Sequence, residues 1–214
     1  MPAVRGDEPF ALVRRWLDEA ASAGGRNTNA MALATVGEDG RPAVRMVLLK
    51  EISETHGYVV FYTNYRSRKA RELERHPWAA AALYWPGLGR QLRLEGRVVR
   101  SPEDESDAYF ATRPYLSQLN AWVSAQSEPL ADGDDLERRA ATKAAELGGT
   151  ATEAPTAGVP RPPFWGGYRL WCDRVELWIE GAGRFHERTE YTRDLDLAAD
   201  RIDAGPWRSR RLQP

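Results

Sequence analysis

The sequence predicts a mainly β fold with flanking helices, an α+β arrangement built on a small antiparallel barrel, and three observations carry that prediction. Short runs rich in β-branched and aromatic residues recur along the chain, at Ala30 to Val36, Ala43 to Leu49, Tyr58 to Thr63, Trp78 to Trp85 and Gln91 to Arg100. Turn chemistry separates them, with Glu38-Asp39-Gly40 after the first run and Pro86-Gly87-Leu88-Gly89 after the fourth. One helical segment interrupts the series, whereas a doubly wound parallel sheet needs a helix after every strand.

The elements follow in order. Phe10, Leu12, Val13, Trp16, Leu17, Ala20 and Ala21 recur at helical spacing, and Gly24-Gly25 is a stop signal, so the chain opens with an amphipathic helix. Two antiparallel strands come next, then a third from Tyr58. Ser67 to His76 has the composition of a short charged helix, and two further strands follow it. Pro102 to Thr112 reads as a helix with Ser101 as its cap, and Leu136 to Leu147 reads as another. Gly148 to Pro163, rich in Gly, Thr, Ala and Pro, is expected to be an exposed connection. Strand patterning resumes at Gly167 to Trp171, Arg174 to Trp178 and Arg184 to Tyr191. No internal repeat is visible, and a single domain over 1–214 is expected.

Composition narrows the function classes. The chain has 214 residues, 42% of them hydrophobic and 29% charged, which is the balance of a folded globular protein. A formal net charge of -1 leaves no global field for nucleic acid, so any anion preference must be local. Cys172 is the only cysteine, which excludes an intrachain disulfide and a thiolate metal cluster. Met1 to Glu8 contain no apolar targeting core, and no run approaches the roughly 18 apolar residues of a membrane span. A cytoplasmic protein with neither membrane nor nucleic-acid partner is expected.

Two basic clusters need an explanation. Arg66, Arg68, Lys69 and Arg71 gather at the start of the Ser67 helix, where the macrodipole already disfavours cations. A phosphate bound there would resolve the conflict; so would a solvated turn paired with Glu72 and Glu74. Arg184, His186 and Arg188 alternate, so on a regular strand all three share one face. They either surround an anion or electron-rich ring or form an exposed basic edge. Arg45 and Lys50 punctuate an apolar strand, but their odd spacing puts them on opposite faces. The chain has no Ser-His-Asp order, Gly-rich phosphate loop or metal-ligand spacing, so no metal is expected and a bound organic cofactor would carry any chemistry.

In order along the chain, Asn29-Ala30-Met31, Arg45-Met46-Val47-Leu48-Leu49-Lys50, Phe61-Tyr62-Thr63-Asn64, Ser67-Arg68-Lys69, Arg90-Gln91, Tyr109-Phe110, Arg113-Pro114, Ser117-Gln118, Ala121-Trp122-Val123-Ser124, Gln126-Ser127 and Phe164-Trp165-Gly166-Gly167-Tyr168 resemble the pyridoxamine 5'-phosphate oxidase family. The resemblance implies an FMN-binding split β-barrel and a homodimer with FMN at the subunit interface. It assigns FMN contacts to Arg45, Met46, Val47, Leu48, Leu49, Lys50, Tyr62, Thr63, Arg68, Lys69, Gln91, Gln126, Ser127, Trp178 and Arg188. It assigns substrate contacts to Lys50, Tyr109, Arg113, Ser117, Arg184 and His186. Lys50, Tyr109, Arg113 and Ser117 would take a phosphate, and Arg184 and His186 would stand at the reacting carbon. The implied reaction oxidises pyridoxamine or pyridoxine 5'-phosphate with dioxygen and releases hydrogen peroxide. Phe185-His186-Glu187-Arg188 departs from the family's usual Leu-His-Asp-Arg, and the terminal Arg210-Arg211-Leu212-Gln213-Pro214 is similar to the phenazine-biosynthesis branch. An oxidase acting on a reduced phenazine-type precursor is therefore the alternative, and a non-catalytic FMN-binding protein the third reading.

Overall fold

The computed structural model describes residues 8–130, 132–133, 135–150, 152–198 and 201–214. The chain divides into two compact units interleaved in sequence. One takes the chain up to Phe61 with His76–Val99 and Arg169–Pro214; the other takes Tyr62–Arg75 and Arg100–Tyr168.

The first unit holds most of an antiparallel sheet. Its strands are β1 (Ala30–Val36), β2 (Pro42–Leu48), β3 (Glu51–Ser53), β4 (Tyr58–Asn64), β5 (Trp78–Trp85), β6 (Arg90–Arg100), β7 (Trp165–Ile179), β8 (Glu187–Thr192) and, after a small separate hairpin of β9 (Leu195–Leu197) and β10 (Ile202–Ala204), β11 (Arg208–Leu212). The spatial order is β11-β8-β7-β6-β5-β1-β2, with β4 pairing both β3 and β7. The register places Leu33 opposite Arg45 and Ala81, and Trp178 opposite Arg188. Strands β6 and β7 approach so closely at Gly96 that a Cβ there would lie 1.9 Å from the Trp171 carbonyl oxygen, which is the close backbone approach that a strand glycine permits.

Helix α1 (Pro9–Ser22) starts with proline at its first position and buries Phe10, Val13, Trp16 and Ala20, the face its spacing predicts. Trp16 meets Trp85 edge-on at 6.4 Å. Inward residues of β1 and β5, including Met31, Leu33, Ala81 and Leu83, are nearly or fully buried. The opposite face is apolar too, yet Val44, Met46 and Tyr84 are 68%, 62% and 56% exposed.

The second unit carries helices α2 (Arg68–Arg75), α3 (Glu103–Ala111), α4 (Tyr115–Val123) and α5 (Asp135–Glu146). Its core gathers Phe110, Ala121, Val159 and Trp165, with Tyr62, Tyr109, Tyr115, Trp122 and Leu147 packed against them. Three details differ from the sequence expectation. Pro102, not Ser101, caps α3, and no side chain supplies the capping bond. Helix α4 was not expected; it begins directly after Pro114, whose fixed φ suits a helix entry. Strand β7 runs unbroken where two strands were expected, because Cys172 is fully buried and Asp173 continues the strand. The described residues of 148–163 contain no helix or strand, but Val159 is buried and the Trp122 indole N–H donates to the Pro160 carbonyl at 2.9 Å.

Candidate active site

In the second unit the end of β4, the start of α2 and the 124–127 loop meet. The Lys69 side chain is nearly buried, and its ammonium donates to Gln126 Oε1 at 2.7 Å, Thr63 Oγ1 at 3.0 Å and Ser67 Oγ at 3.3 Å. Thr63 also donates to Gln126 Oε1 at 2.9 Å. The Arg68 backbone N–H donates to Ser127 Oγ at 3.2 Å, and Ser127 holds a left-handed φ of 79°. Thr63, Arg68, Lys69, Gln126 and Ser127, predicted from separate stretches of sequence, thus converge on the N-terminus of α2. Ser67, expected as the first residue of this helix, lies just before it and caps it by accepting from the Ala70 N–H at 3.4 Å.

The basic cluster itself is divided. Arg66 lies over the Phe164 ring at 4.3 Å, Arg71 pairs with Glu128 at 3.0 Å, and Glu74 pairs with Arg100. Arg68 pairs with Glu72 through Nε at 2.8 Å, and its side chain is largely exposed at the helix start.

A second group lies on α3, α4 and the first residues of β7. Tyr62 and Tyr109 stack at 3.9 Å and 12°, so a position expected to bind FMN touches one expected to bind substrate. Arg113 follows α3, and Ser117 sits half-buried in the first turn of α4. The Arg113 guanidinium lies over Trp165, yet its Nη1 is buried without a hydrogen-bond partner. Burial lowers the pKa of Arg113, with the Tyr109 phenol opposing, so the cation is partly desolvated and incompletely paired.

In the first unit, Arg45 projects from β2 and donates through Nη1 to Thr35 Oγ1 at 2.5 Å and the Leu33 carbonyl at 3.1 Å. Strand β2 ends at Leu48, so Leu49 and Lys50 lie in the link to β3, and the odd spacing of Arg45 and Lys50 no longer fixes opposite faces. The Lys50 N–H donates to the Val60 carbonyl at 2.8 Å. Gln91 stands on β6 opposite Tyr84. A groove of about 710 Å³ opens between the end of α1, β1 and β5; of the predicted positions, only Met46 lines it.

The Arg184 to Tyr191 strand of the sequence reading needs correction. Ala182–Arg184 form a short 3-10 turn, and β8 begins only at Glu187, so Arg184 and His186 do not alternate on a strand with Arg188. Gly183 and Arg184 both take left-handed φ, 61° and 68°, and a Cβ at Gly181 would lie 1.9 Å from the Phe185 carbonyl oxygen. The tight turn needs those glycines. It lets the Gly181 N–H donate to His186 Nδ1 at 3.2 Å, and His186 packs on Trp178 at 4.6 Å. Because a backbone N–H can only donate, neutral His186 carries its proton on Nε2. Arg188 donates to both carboxylate oxygens of Glu176, at 2.7 and 3.1 Å, and this bond first of all raises its pKa. The nearly buried Glu176 was missed in the sequence; its signal is an acid between Val175 and Leu177, two residues before Trp178.

An antiparallel sheet of this topology, with helical segments inserted between its strands, is the split-barrel fold. Residues 17–146 match the pyridoxamine 5'-phosphate oxidase model, and residues 165–214 match the pyridoxine 5'-phosphate oxidase C-terminal dimerisation region. The chain belongs to the pyridoxamine 5'-phosphate oxidase family, a family of FMN-dependent oxidases. It is 48% identical over 208 residues to a pyridoxine/pyridoxamine 5'-phosphate oxidase of Rubrobacter xylanophilus, covering 97% of this chain and 87% of that protein. It is 46% identical to the Burkholderia ambifaria protein of the same name, covering 97% and 89%. The crystal structure of PhzG from Burkholderia lata in complex with tetrahydrophenazine-1-carboxylic acid superposes with a TM-score of 0.83 at 33% identity, covering 99% of this chain and 95% of that one.

Proposed function

We propose that this protein is an FMN-dependent oxidase that converts pyridoxamine or pyridoxine 5'-phosphate to pyridoxal 5'-phosphate. One observation carries the choice of a phosphorylated substrate: Arg113 is a partly desolvated cation whose buried Nη1 has no partner. A substrate phosphate would supply the missing acceptor in the bidentate way that suits a guanidinium. Tyr109, Ser117 and Lys50 are the further phosphate contacts of this reading.

The residues present fit FMN. The α2 N-terminus, with Arg68, Lys69, Thr63, Gln126 and Ser127, offers the donors and positive field that a flavin phosphate needs. Arg45 to Lys50, Tyr62, Gln91, Trp178 and Arg188 are assigned to the rest of the cofactor, with Glu176 holding Arg188 in one orientation. When bound, FMN would accept a hydride from the carbon bearing the amine or alcohol and pass both electrons to dioxygen, giving hydrogen peroxide, while the O–H or N–H proton leaves to solvent and water hydrolyses the imine of an amine substrate to the aldehyde and ammonia. His186 donates through Nε2 to a substrate oxygen, and Trp178 packs on its ring. Arg184, held in a left-handed conformation, presents its charge at the same turn. Both act by orientation and charge.

The protein acts as a homodimer with FMN at the subunit interface. The match of residues 165–214 to a dimerisation region supports this, as does the exposed apolar face of β1, β2 and β5. The two units serve as one functional domain. No helix among the described residues is long and apolar enough to cross a membrane, and the lone cysteine is buried; both accord with a cytoplasmic enzyme.

The second reading, oxidation of a reduced phenazine-type precursor, draws on the superposition with PhzG. An aerobic assay of the yellow protein with pyridoxine 5'-phosphate, following pyridoxal phosphate and hydrogen peroxide together, separates the two. Equimolar formation of both products is expected. Bound FMN without turnover of that substrate would leave the phenazine reading standing in its place.

A further inference from the structure

The support beneath Arg113 goes beyond the residues assigned so far. Its guanidinium carbon lies 4.4 Å from the centroid of the Trp165 ring. The indole is only 6% exposed and runs nearly parallel to Tyr62, at 5.6 Å and 9°, and to Tyr109, at 6.2 Å and 6°. Phe110 meets it edge-on at 5.1 Å. Its main chain is equally constrained: the Trp165 N–H donates to the Pro162 carbonyl at 3.0 Å, and its own carbonyl accepts from Arg161 Nη1 at 2.7 Å. Arg161 is in turn paired with Asp107 at 2.5 Å. A rigid, flat, electron-rich surface therefore lies beneath a cation that lacks a full set of partners.

We propose that Trp165 is a positioning residue for substrate selection: its indole face holds the Arg113 guanidinium so that Nη1 meets a phosphate monoester, making the site selective for phosphorylated over unphosphorylated substrates. This rests on the phosphate role given to Arg113 above. The physical reason lies in the two faces of the guanidinium. An aromatic face holds a guanidinium through its π surface without using any of its N–H groups, which stay available to donate to the oxygens of a phosphate. Aliphatic packing of similar volume would exclude water as well, but would not fix the plane. The stack of Tyr62, Tyr109 and Trp165 also links the selection of phosphate to a position assigned to the flavin.

The test uses the FMN-loaded enzyme with Trp165→Leu and Trp165→Phe. Steady-state kinetics with pyridoxine 5'-phosphate are combined with equilibrium titration of pyridoxal 5'-phosphate and inhibition by inorganic phosphate. Trp165→Leu is expected to raise KM, the pyridoxal phosphate Kd and the phosphate inhibition constant together by about tenfold, the order set by loss of a partly desolvated cation–π contact. It should leave kcat within about twofold and FMN bound. Trp165→Phe keeps an aromatic face and should recover most of the loss. If the leucine variant does not fold, the phenylalanine variant carries the test: its rise in KM, about twofold to threefold, should vanish in an Arg113→Ala background. Unchanged KM, or a fall in kcat without change in KM, would overturn the positioning role. A wild-type enzyme that oxidises unphosphorylated pyridoxine as efficiently as its phosphate would instead overturn the phosphate reading of Arg113 itself.

Discussion

At the scale of single residues, Arg184 combines a strained backbone with an assigned function. A side chain at φ 68° costs about 1 kcal/mol relative to glycine, because Cβ crowds the following carbonyl. Such a conformation persists only where the surroundings impose it, here the turn closed by the Gly181 N–H on His186. Arg184→Gly should therefore be more stable than Arg184→Ala by about 1 kcal/mol, while both lose most of kcat/KM. Thermal melts of the two variants beside turnover assays check this. An alanine variant as stable as the glycine variant would show that the turn relaxes once the guanidinium is gone. The sequence carries the signal for this turn in Gly181 and Gly183 flanking Ala182, and glycine spacing of this kind outweighs the charge alternation of Arg184, His186 and Arg188.

At the scale of elements, β7 and β8 pair Glu176 directly with Glu190, two carboxylates facing each other across a ladder. Like charges so placed are unfavourable, and the arrangement holds because each acid is enclosed by arginines. Glu176 takes Arg93 and Arg188, and Glu190 takes Arg174 and Arg210. Burial acts to raise the Glu190 pKa, but the bonds and charges of Arg210 and Arg174 prevail and hold it below the ordinary carboxylate range. A carboxyl depressed on folding contributes stability that is full above its unfolded value, about 4.3, and is lost as pH falls through the folded value. The difference in melting temperature between wild type and Glu190→Gln should thus be larger at pH 7 than at pH 3.5. Equal differences at the two values would sink this account.

The elements also show where the sequence was legible. Strands β1, β2, β4, β5 and β6, and helices α1, α2, α3 and α5, fall within a residue or two of their expected bounds; in β1, β5 and α1 the apolar periodicity matches the burial. Helix α4 escaped because its first turn, Tyr115 to Gln118, carries no acidic residue and no side-chain cap, unlike the acidic first turn of α3. Strands β3, β9 and β10, at three residues each, have no period at all. The site was legible as types of residue rather than as a constellation. Arg68 and Lys69 stood out against the helix dipole, but nothing local ties them to Gln126 and Ser127, some sixty residues onward. Trp165 was visible only as part of the Phe164-Trp165-Gly166-Gly167-Tyr168 motif, and Glu176 only as an acid between Val175 and Leu177.

For the molecule as a whole, the strongest unresolved feature of the single chain is the outer face of β1, β2 and β5. Strand β2 shows its partly buried side with Ala43, Arg45 and Val47 and turns Val44, Met46 and Leu48 outward, so the exposed side is the more apolar one. Ala32, Ala34, Ala82 and Tyr84 extend this face across the neighbouring strands. A monomer rarely leaves such a continuous apolar area to water, and a homodimer explains it if the two copies bury it together. Val44 lies near its centre and belongs to none of the assigned binding positions. Val44→Lys combined with Val36→Lys should therefore shift sedimentation from dimer to monomer while leaving the far-UV circular dichroism spectrum of the fold intact, because neither side chain is buried within the chain. If FMN sits between subunits, the same variant should lose its yellow colour on gel filtration even though Lys69, Thr63 and Gln126 are untouched. A monomer that keeps its flavin would place the cofactor within one chain, and a dimer that survives both charges would move the interface to the C-terminal strands.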